Sequence, residues 1–296
     1  MRFDFTGADL FLAYLRGDVS AREVLEHPAY AIVCQHANHF GGVSISPRSL
    51  EQGLQGLSSP FYGLSSVRDN LPQIHKLITE LAEAATDWAA TAADELSSLL
   101  PDMDTDGIVV YPIIGYDAGI GLSEAVCMNL NYRLYHEMPE EFLSTLIHEG
   151  FHVLHQRIHG LAQVHELTSA SQWRDLCLMM LQNEGLAVYA PYPMRQRRGY
   201  SGGNSPMQLD YSYLNGDLDI GPLTAKFCSV LDLLSGDSVS DEERLEAIFG
   251  ADRLLYRVGS VLAKRVKDTL GASALASATK MPPETYWQTY AHLIIR

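Results

Sequence analysis

The sequence predicts an α+β protein that is mainly α-helical, with one small β-sheet in the middle of the chain. Apolar residues recur at three- and four-residue spacing through the first hundred residues and again from Pro139 onward, which is the period of an amphipathic helix. Only two runs, residues 108–114 and 125–131, have the apolar or alternating pattern of strands. Long helical stretches on both sides of two short strands define this fold class.

Breaks in the helical pattern divide the chain into three regions, which are expected to pack as one compact unit. Pro101 and an acidic turn end a helical region over residues 1–105. Residues 106–200 form a core that contains both strands, and residues 201–296 form a C-terminal helical region. The core is expected to end in a loop over residues 191–206.

The glycine-rich residues 115–121 are expected to connect the two strands. A dinucleotide-binding loop would need a third glycine at the position that Glu124 occupies. Gly119 and Gly121 are therefore interpreted as part of a turn.

Composition and charge exclude several classes of partner. The 296 residues include 21 Lys and Arg against 36 Asp and Glu, which gives a net charge of −15. Because nucleic acids and anionic membranes attract basic proteins, neither is expected as a partner. Asp4 and Asp9 stand where a signal peptide has its basic and apolar regions, and the four cysteines form no CxxC pair. A cytoplasmic location is therefore expected.

One motif carries the chemistry, an HExxH formed by His148, Glu149 and His152. Histidines four residues apart lie on the same face of a helix, so both imidazoles can bind one zinc ion. The glutamate between them lies close enough to hold a water molecule on that ion and to accept its proton. Chance alone yields about 0.02 such motifs in a chain of this composition.

The residues around the motif fit a helix that is packed on both flanks. At about 100° per residue, the apolar residues fall into two stripes, one with Leu143, Ile147, Phe151, Leu154 and Ile158, the other with Phe142, Leu146 and Val153. A polar line between the stripes contains His148, His152, His155 and His159. A solvated helix would carry Lys and Glu there, so the floor of a metal cleft is favoured over a helix with chance histidines. His155 and His159 are expected to line the cleft rather than bind the metal.

Glu184 is the best candidate for the third protein ligand that a catalytic zinc usually has. On a helix predicted over residues 172–190, Glu184 lies at the centre of an apolar stripe. A carboxylate is costly to bury there unless it is paired or bound to a metal. Gly185 beside it would let this helix approach the HExxH helix closely. Pairing of Glu184 with an arginine is the alternative.

Other ligand sets fit the sequence less well. A metzincin would need glycine and histidine at the positions of His155 and Ile158, which excludes that class. Cys127 lies upstream, as in deformylase-type hydrolases, but without a matching motif. For His36 and His39, packing in the core or at the surface is favoured over a second metal site.

HEGFH followed by NEGLA resembles the gluzincin group of zinc metallopeptidases, and more narrowly bacterial families of zinc-dependent peptidases with an EGLA-type second motif. The resemblance covers about residues 108–190. It implies a zincin-like core with a small sheet and an active-site helix. It also implies that His148, His152 and Glu184 bind zinc and that Glu149 is the general base.

The resemblance also bears on the substrate. It implies that residues 125–131 form the sheet edge on which an extended peptide lies by strand addition, with Asn129 among the contacts. Many gluzincins orient the first histidine with an aspartate four residues after the glutamate ligand, but Val188 occupies that position here. Asp117 and Asp175 are candidates for the missing hydrogen-bond acceptor.

Two further groups are candidates for contacts with the substrate. Peptide hydrolysis needs a donor for the developing oxyanion, and Tyr211 or Tyr213, which follow the ligand helix, is expected to supply it. Arg195, Arg197 and Arg198 form a basic cluster in the predicted loop. A solvated turn and a flexible lid that binds a substrate carboxylate or an acidic side chain are both open interpretations.

The favoured function is a Zn²⁺-dependent hydrolase that cleaves peptide bonds, with a peptide or small amide as substrate. One alternative is a non-catalytic protein that keeps the zincin scaffold for binding, or a structural zinc site. The intact Glu149 argues against both, because a structural site does not need that carboxylate. A zinc amidase acting on a non-peptide substrate is the other alternative, and nothing in the sequence separates it from a peptidase.

Overall fold

The computed structural model describes residues 1–162, 164–165, 167–200, 205–236, 239–250 and 252–295. These residues form 15 α-helices, two short 3₁₀ helices and one four-stranded sheet, which confirms an α+β fold that is mainly α-helical. The chain divides into two compact units. Unit 1 comprises Met1–Asp94 and Met103–Leu154, and unit 2 comprises Glu95–Asp102 and His155–Arg296. The predicted division into three regions stays a prediction.

Unit 1 contains the sheet and most of the first seven helices. Its strands are β1 (Arg2–Phe3), β2 (Val109–Ile113), β3 (Gly119–Leu122) and β4 (Ala125–Asn129). Its helices are α1 (Thr6–Arg16), α2 (Ala21–Glu26), α3 (Pro28–Gly41), α4 (Pro47–Leu54), α5 (Leu71–Leu99), α6 (Arg133–Glu137) and α7 (Glu140–His159), with a 3₁₀ helix over Leu64–Ser66. The last residues of α5 and α7 belong to unit 2. The helical prediction for the first hundred residues is confirmed apart from β1.

The sheet has the strand order β1-β2-β4-β3. β1 and β4 pair in parallel with β2, and β3 pairs antiparallel with β4. β4 is therefore a central strand, and all five of its residues are buried. The prediction that this strand forms the sheet edge is wrong. Among the residues that the structure describes, β1 and β3 are the outer strands, and β3 reaches its position because the chain folds back through Ser123 and Glu124.

The interpretation of Gly119 and Gly121 as part of a turn is also wrong. Both residues belong to β3, whose side chains alternate between its two faces. Ile120 and Leu122 are buried, at 3% and 1% exposure. The glycines lie on the opposite face.

Unit 2 is built from helices packed around α8. They are α8 (Ala170–Tyr189), α9 (Tyr192–Arg198), α10 (Ser205–Asn215), α11 (Gly221–Leu234), α12 (Asp241–Phe249), α13 (Leu254–Leu270), α14 (Ala272–Thr279) and α15 (Pro283–Tyr290), with a 3₁₀ helix over Ala291–Leu293. α11, α13 and α15 all contact α8. The predicted loop over residues 191–206 is wrong in its first part, where α9 forms, and residues 201–204 lie outside the described residues.

Serines in the sequence account for several of the helix starts. Ser20, Ser46, Ser169 and Ser240 each form a capping box with the residue three positions later, at the starts of α2, α4, α8 and α12. In each box the serine hydroxyl accepts a hydrogen bond from a backbone N–H that the first turn leaves unpaired.

All four cysteines are free thiols. No described helix is both long enough and apolar enough to cross a bilayer.

Candidate metal centre

The HExxH motif lies on α7, a helix of 20 residues with charges suited to its ends. Glu140 and Glu141 in its first turn and Arg157 and His159 in its last turn complement the helix dipole. The predicted apolar stripes are fully buried at Phe142, Leu143, Leu146, Ile147, Phe151, Val153 and Leu154. Ile158 alone among the stripe residues is partly exposed. The packed flanks hold the backbone that carries the two histidines.

The imidazoles of His148 and His152 meet beside α7. Their Nε2 atoms are 3.1 Å apart, and their rings are nearly perpendicular. Two nitrogens bound to a tetrahedral zinc at about 2.0–2.1 Å would be about 3.3 Å apart, so this pair needs only a small adjustment to share an ion. A carboxylate oxygen of Glu149 belongs to the same group, whose ligand atoms all lie within 4.8 Å of one another. The donor set fits zinc, which binds imidazole nitrogen and carboxylate oxygen.

The glycines of β3 let this strand pack directly on the HExxH turn. A Cβ atom on Gly121 would lie 2.1 Å from the Glu149 carbonyl oxygen and 3.2 Å from the Cβ of His152. A Cβ atom on Gly119 would lie 2.8 Å from the Thr145 side chain and 3.0 Å from the Cγ of Glu149. Only glycine allows such a close approach of strand and helix at both positions. Sequence reasoning missed this role, although glycines two residues apart share one face of a strand.

His36 on α3 is a neighbour of the centre that the motif did not reveal. Burial and, to a smaller extent, the nearby charges of His152 and His39 together lower the pKa of His36 to about 4. Its Nδ1 lies 2.9 Å from the hydroxyl of Tyr116. Burial, with the nearby Asp117 and Cys34, raises the pKa of Tyr116 to about 12. At neutral pH the imidazole and the phenol are both uncharged.

A model of the family described as "Putative zinc dependent peptidase (DUF5700)" matches residues 22–294. The chain belongs to this family. No curated protein and no solved structure matches the chain. The predicted resemblance to zinc-dependent peptidases is confirmed, and the family match extends on both sides beyond residues 108–190. The matched residues include α3, α4 and α5, which precede β2, and the helices that follow α8.

Glu184, the predicted third ligand, is buried on α8 in unit 2 of this family member. Gly185 beside it does approach another helix closely, and that helix is α13. A Cβ atom on Gly185 would lie 2.3 Å from the Cα of Gly259. His155 and His159 serve the packing of unit 2, where His155 contacts Gln182 of α8 and His159 donates to the backbone carbonyl of Thr279.

The predicted tyrosines and arginines also lie in unit 2. Tyr211 is buried and stacks on Tyr192 at 5.9 Å, and Tyr213 lies near the guanidinium of Arg257. Arg195, at 1% exposure, is packed against the rings of Tyr200 and Tyr211. Arg197 forms an ion pair with Glu95, and Arg198 is exposed in the last turn of α9.

The remaining candidates near the sheet have local partners. Asn129 is buried at the end of β4, accepts hydrogen bonds from the backbone N–H groups of Gly115 and Asn131, and donates to the carbonyl of Tyr116. Burial raises the pKa of the Cys127 thiol, and the Glu149 charge adds to that shift. Cys127 is therefore a protonated thiol, a poor metal ligand.

Asp117 and Asp175 are both exposed. A carboxylate oxygen of Asp117 accepts a hydrogen bond from the backbone N–H of Ala118. The orienting role predicted for these two aspartates stays a prediction.

Gly121→Ala should destabilise the protein by about 1–3 kcal/mol and weaken zinc binding, because the new methyl group meets a backbone carbonyl that cannot easily move. Urea unfolding of the metal-free protein and a zinc titration would measure both effects. Gly41→Ala is the matched control, since its nearest neighbour would be 3.6 Å away. Equal unfolding midpoints and zinc affinities for Gly121→Ala and wild type would contradict the proposed packing.

His36 should make the metal-free protein less stable as the pH falls. The unfolded imidazole takes up a proton near its ordinary pKa of 6.5, whereas the folded one stays neutral until about pH 4. The unfolded state therefore binds more protons between these values, and stability falls as pH decreases through that window. His36→Gln removes this effect. In urea unfolding from pH 7.5 down to 4.5, the free energy of unfolding of the variant should rise relative to that of wild type. A difference that stays constant over this range would refute the lowered pKa of His36.

Proposed function

We propose that this chain is a zinc-dependent peptidase in which His148, His152 and Glu184 bind zinc and Glu149 is the general base. The observation that carries the proposal is the pair of Nε2 atoms 3.1 Å apart with the Glu149 carboxylate in the same group. The family description supports the same class of activity. Glu184 enters as the buried carboxylate on α8 that completes a three-ligand set.

Zinc, when bound, would supply a Lewis acid that polarises a water molecule and the scissile carbonyl group. The chain's own part begins with Glu149, whose carboxylate holds the attacking water and accepts its proton. Glu149 then delivers that proton to the nitrogen of the leaving amine. His148 and His152 hold their Nε2 atoms in place because the flanks of α7 are fully buried.

The substrate is proposed to lie along β3, one of the two outer strands of the sheet. β3 lies directly over Glu149 and His152, so a peptide bound along this strand would run beside the candidate metal centre. This replaces the earlier expectation of binding at β4, which is covered on both sides. Asn129 then acts as a positioning residue, because it holds the backbone that leads into β3.

Two groups of unit 2 complete the proposal. Tyr211 or Tyr213 donates a hydrogen bond to the developing oxyanion. Arg198, an arginine of the cluster whose side chain is exposed, is proposed to bind a substrate carboxylate. Arg195 and Arg197 already pack on rings or pair with a carboxylate, and they position α9 for that contact.

Zinc-loaded wild-type protein should hold about one zinc ion per chain and cleave members of a randomised peptide library. His152→Ala should lose the metal and the cleavage. Glu149→Gln should keep the metal and lower kcat by at least about 100-fold, because it removes only the base. Metal analysis by mass spectrometry and peptide products by liquid chromatography would report both quantities.

The outcomes separate the proposal from its alternatives. Zinc retained in full by His152→Ala would exclude this metal site. Zinc binding without cleavage of any peptide would contradict the peptidase and leave the non-catalytic scaffold and the zinc amidase. Cleavage that survives in Glu149→Gln at the wild-type rate would contradict the role of the base.

A further inference from the structure

A surface cavity of about 370 Å³ opens in unit 1 beside the start of β3. This volume lies in the range of about 300–1,000 Å³ that ligand pockets occupy. Its walls include Ala37, Val43, Pro60, Tyr62, Tyr116 and Asp117. The lining is thus mostly apolar and aromatic with a single carboxylate.

Tyr116 connects this cavity to the candidate metal centre. Its hydroxyl lies 2.9 Å from Nδ1 of His36, and His36 is close enough to His152 to sense its charge. Asp117 lies two residues before Gly119, where β3 begins. A Cβ atom on Gly119 would lie 3.0 Å from the Cγ of Glu149, so the cavity mouth lies close to the candidate metal centre.

The backbone at this point is strained and firmly held. Tyr116 has φ = 72°, a backbone conformation that residues other than glycine rarely adopt. Its carbonyl accepts a hydrogen bond from Asn129, and Gly115 before it donates to the same side chain. Strain of this kind persists where surrounding contacts impose it, and it is concentrated at ligand-binding sites.

The charge in the cavity belongs to Asp117. Its carboxylate is exposed, and no cation among the described residues pairs with it. One oxygen accepts the Ala118 N–H at 2.7 Å, which fixes the side chain at the rim. Tyr62, 61% exposed, lines the same cavity, and an aromatic face attracts a cation.

We propose that this cavity is a specificity subsite that binds a lysine or arginine side chain of the peptide substrate. The apolar walls would take the aliphatic stem, while Asp117 and the ring of Tyr62 would take the cationic head. The chain's net charge of −15 favours the approach of basic peptides. This subsite rests on the proposed peptidase function, whose substrate class it specifies.

Binding can be tested without turnover on zinc-loaded Glu149→Gln protein. The probes are fluorescent alanine-based heptapeptides that carry lysine, norleucine or glutamate at one position at a time. At one position lysine should bind about 3- to 10-fold more tightly than norleucine, and glutamate should bind most weakly. Asp117→Asn, which keeps the acceptor for Ala118, should remove the advantage of lysine over norleucine. Asp117→Lys should reverse the preference toward glutamate.

Asp87→Asn is the matched control, because it removes an exposed carboxylate from α5 of the same unit. It should keep the preference for lysine. The subsite is refuted if no position prefers lysine, or if the preference survives in Asp117→Asn. Cleavage assays on wild-type protein separate the two proposals. Cleavage without an Asp117-dependent preference overturns the subsite alone, whereas Asp117-dependent binding without any cleavage overturns the peptidase and upholds the subsite.

Discussion

The close packing of β3 on α7 is the constraint on which the candidate metal centre depends. A strand with side chains at both glycine positions would be pushed away from the helix, since even one Cβ atom at Gly121 would collide with the Glu149 carbonyl. The glycines therefore bring β3 against the HExxH turn, with Gly121 beside the carbonyl of Glu149 and the Cβ of His152.

The polar groups of the centre are held by apolar packing rather than by a network of charges. Seven fully buried side chains flank the HExxH turn, so the two imidazoles are positioned by the core of unit 1. Because packing of this density allows the imidazoles of His148 and His152 little movement, they lose little conformational entropy when they bind a metal. The hydrogen bond between Tyr116 and His36 then links the surroundings of the centre to the cavity that Tyr116 lines.

The sequence predicted what depends on local periodicity. The helical fold class, the two strands at β2 and β4, and the buried flanks of α7 all follow from apolar spacing. The strand order could not be predicted from apolar spacing, because β1 and β3 are too short to show a period. β1 pairs with a strand far away in the chain, and β3 pairs with β4 across a hairpin. For the same reason Gly119 and Gly121 were mistaken for a turn. The nearness of His36 to His152 gave no signal in the sequence, since tertiary packing alone brings the two together.

The proposed zinc site is tested most directly by a zinc-edge anomalous difference map of crystals of the zinc-loaded protein. One strong peak is expected, about 2.0–2.2 Å from Nε2 of His148, Nε2 of His152 and a carboxylate oxygen of Glu184. A peak that involves neither imidazole would contradict the metal centre. A peak on both imidazoles without Glu184 would keep the centre and overturn the assignment of its third ligand.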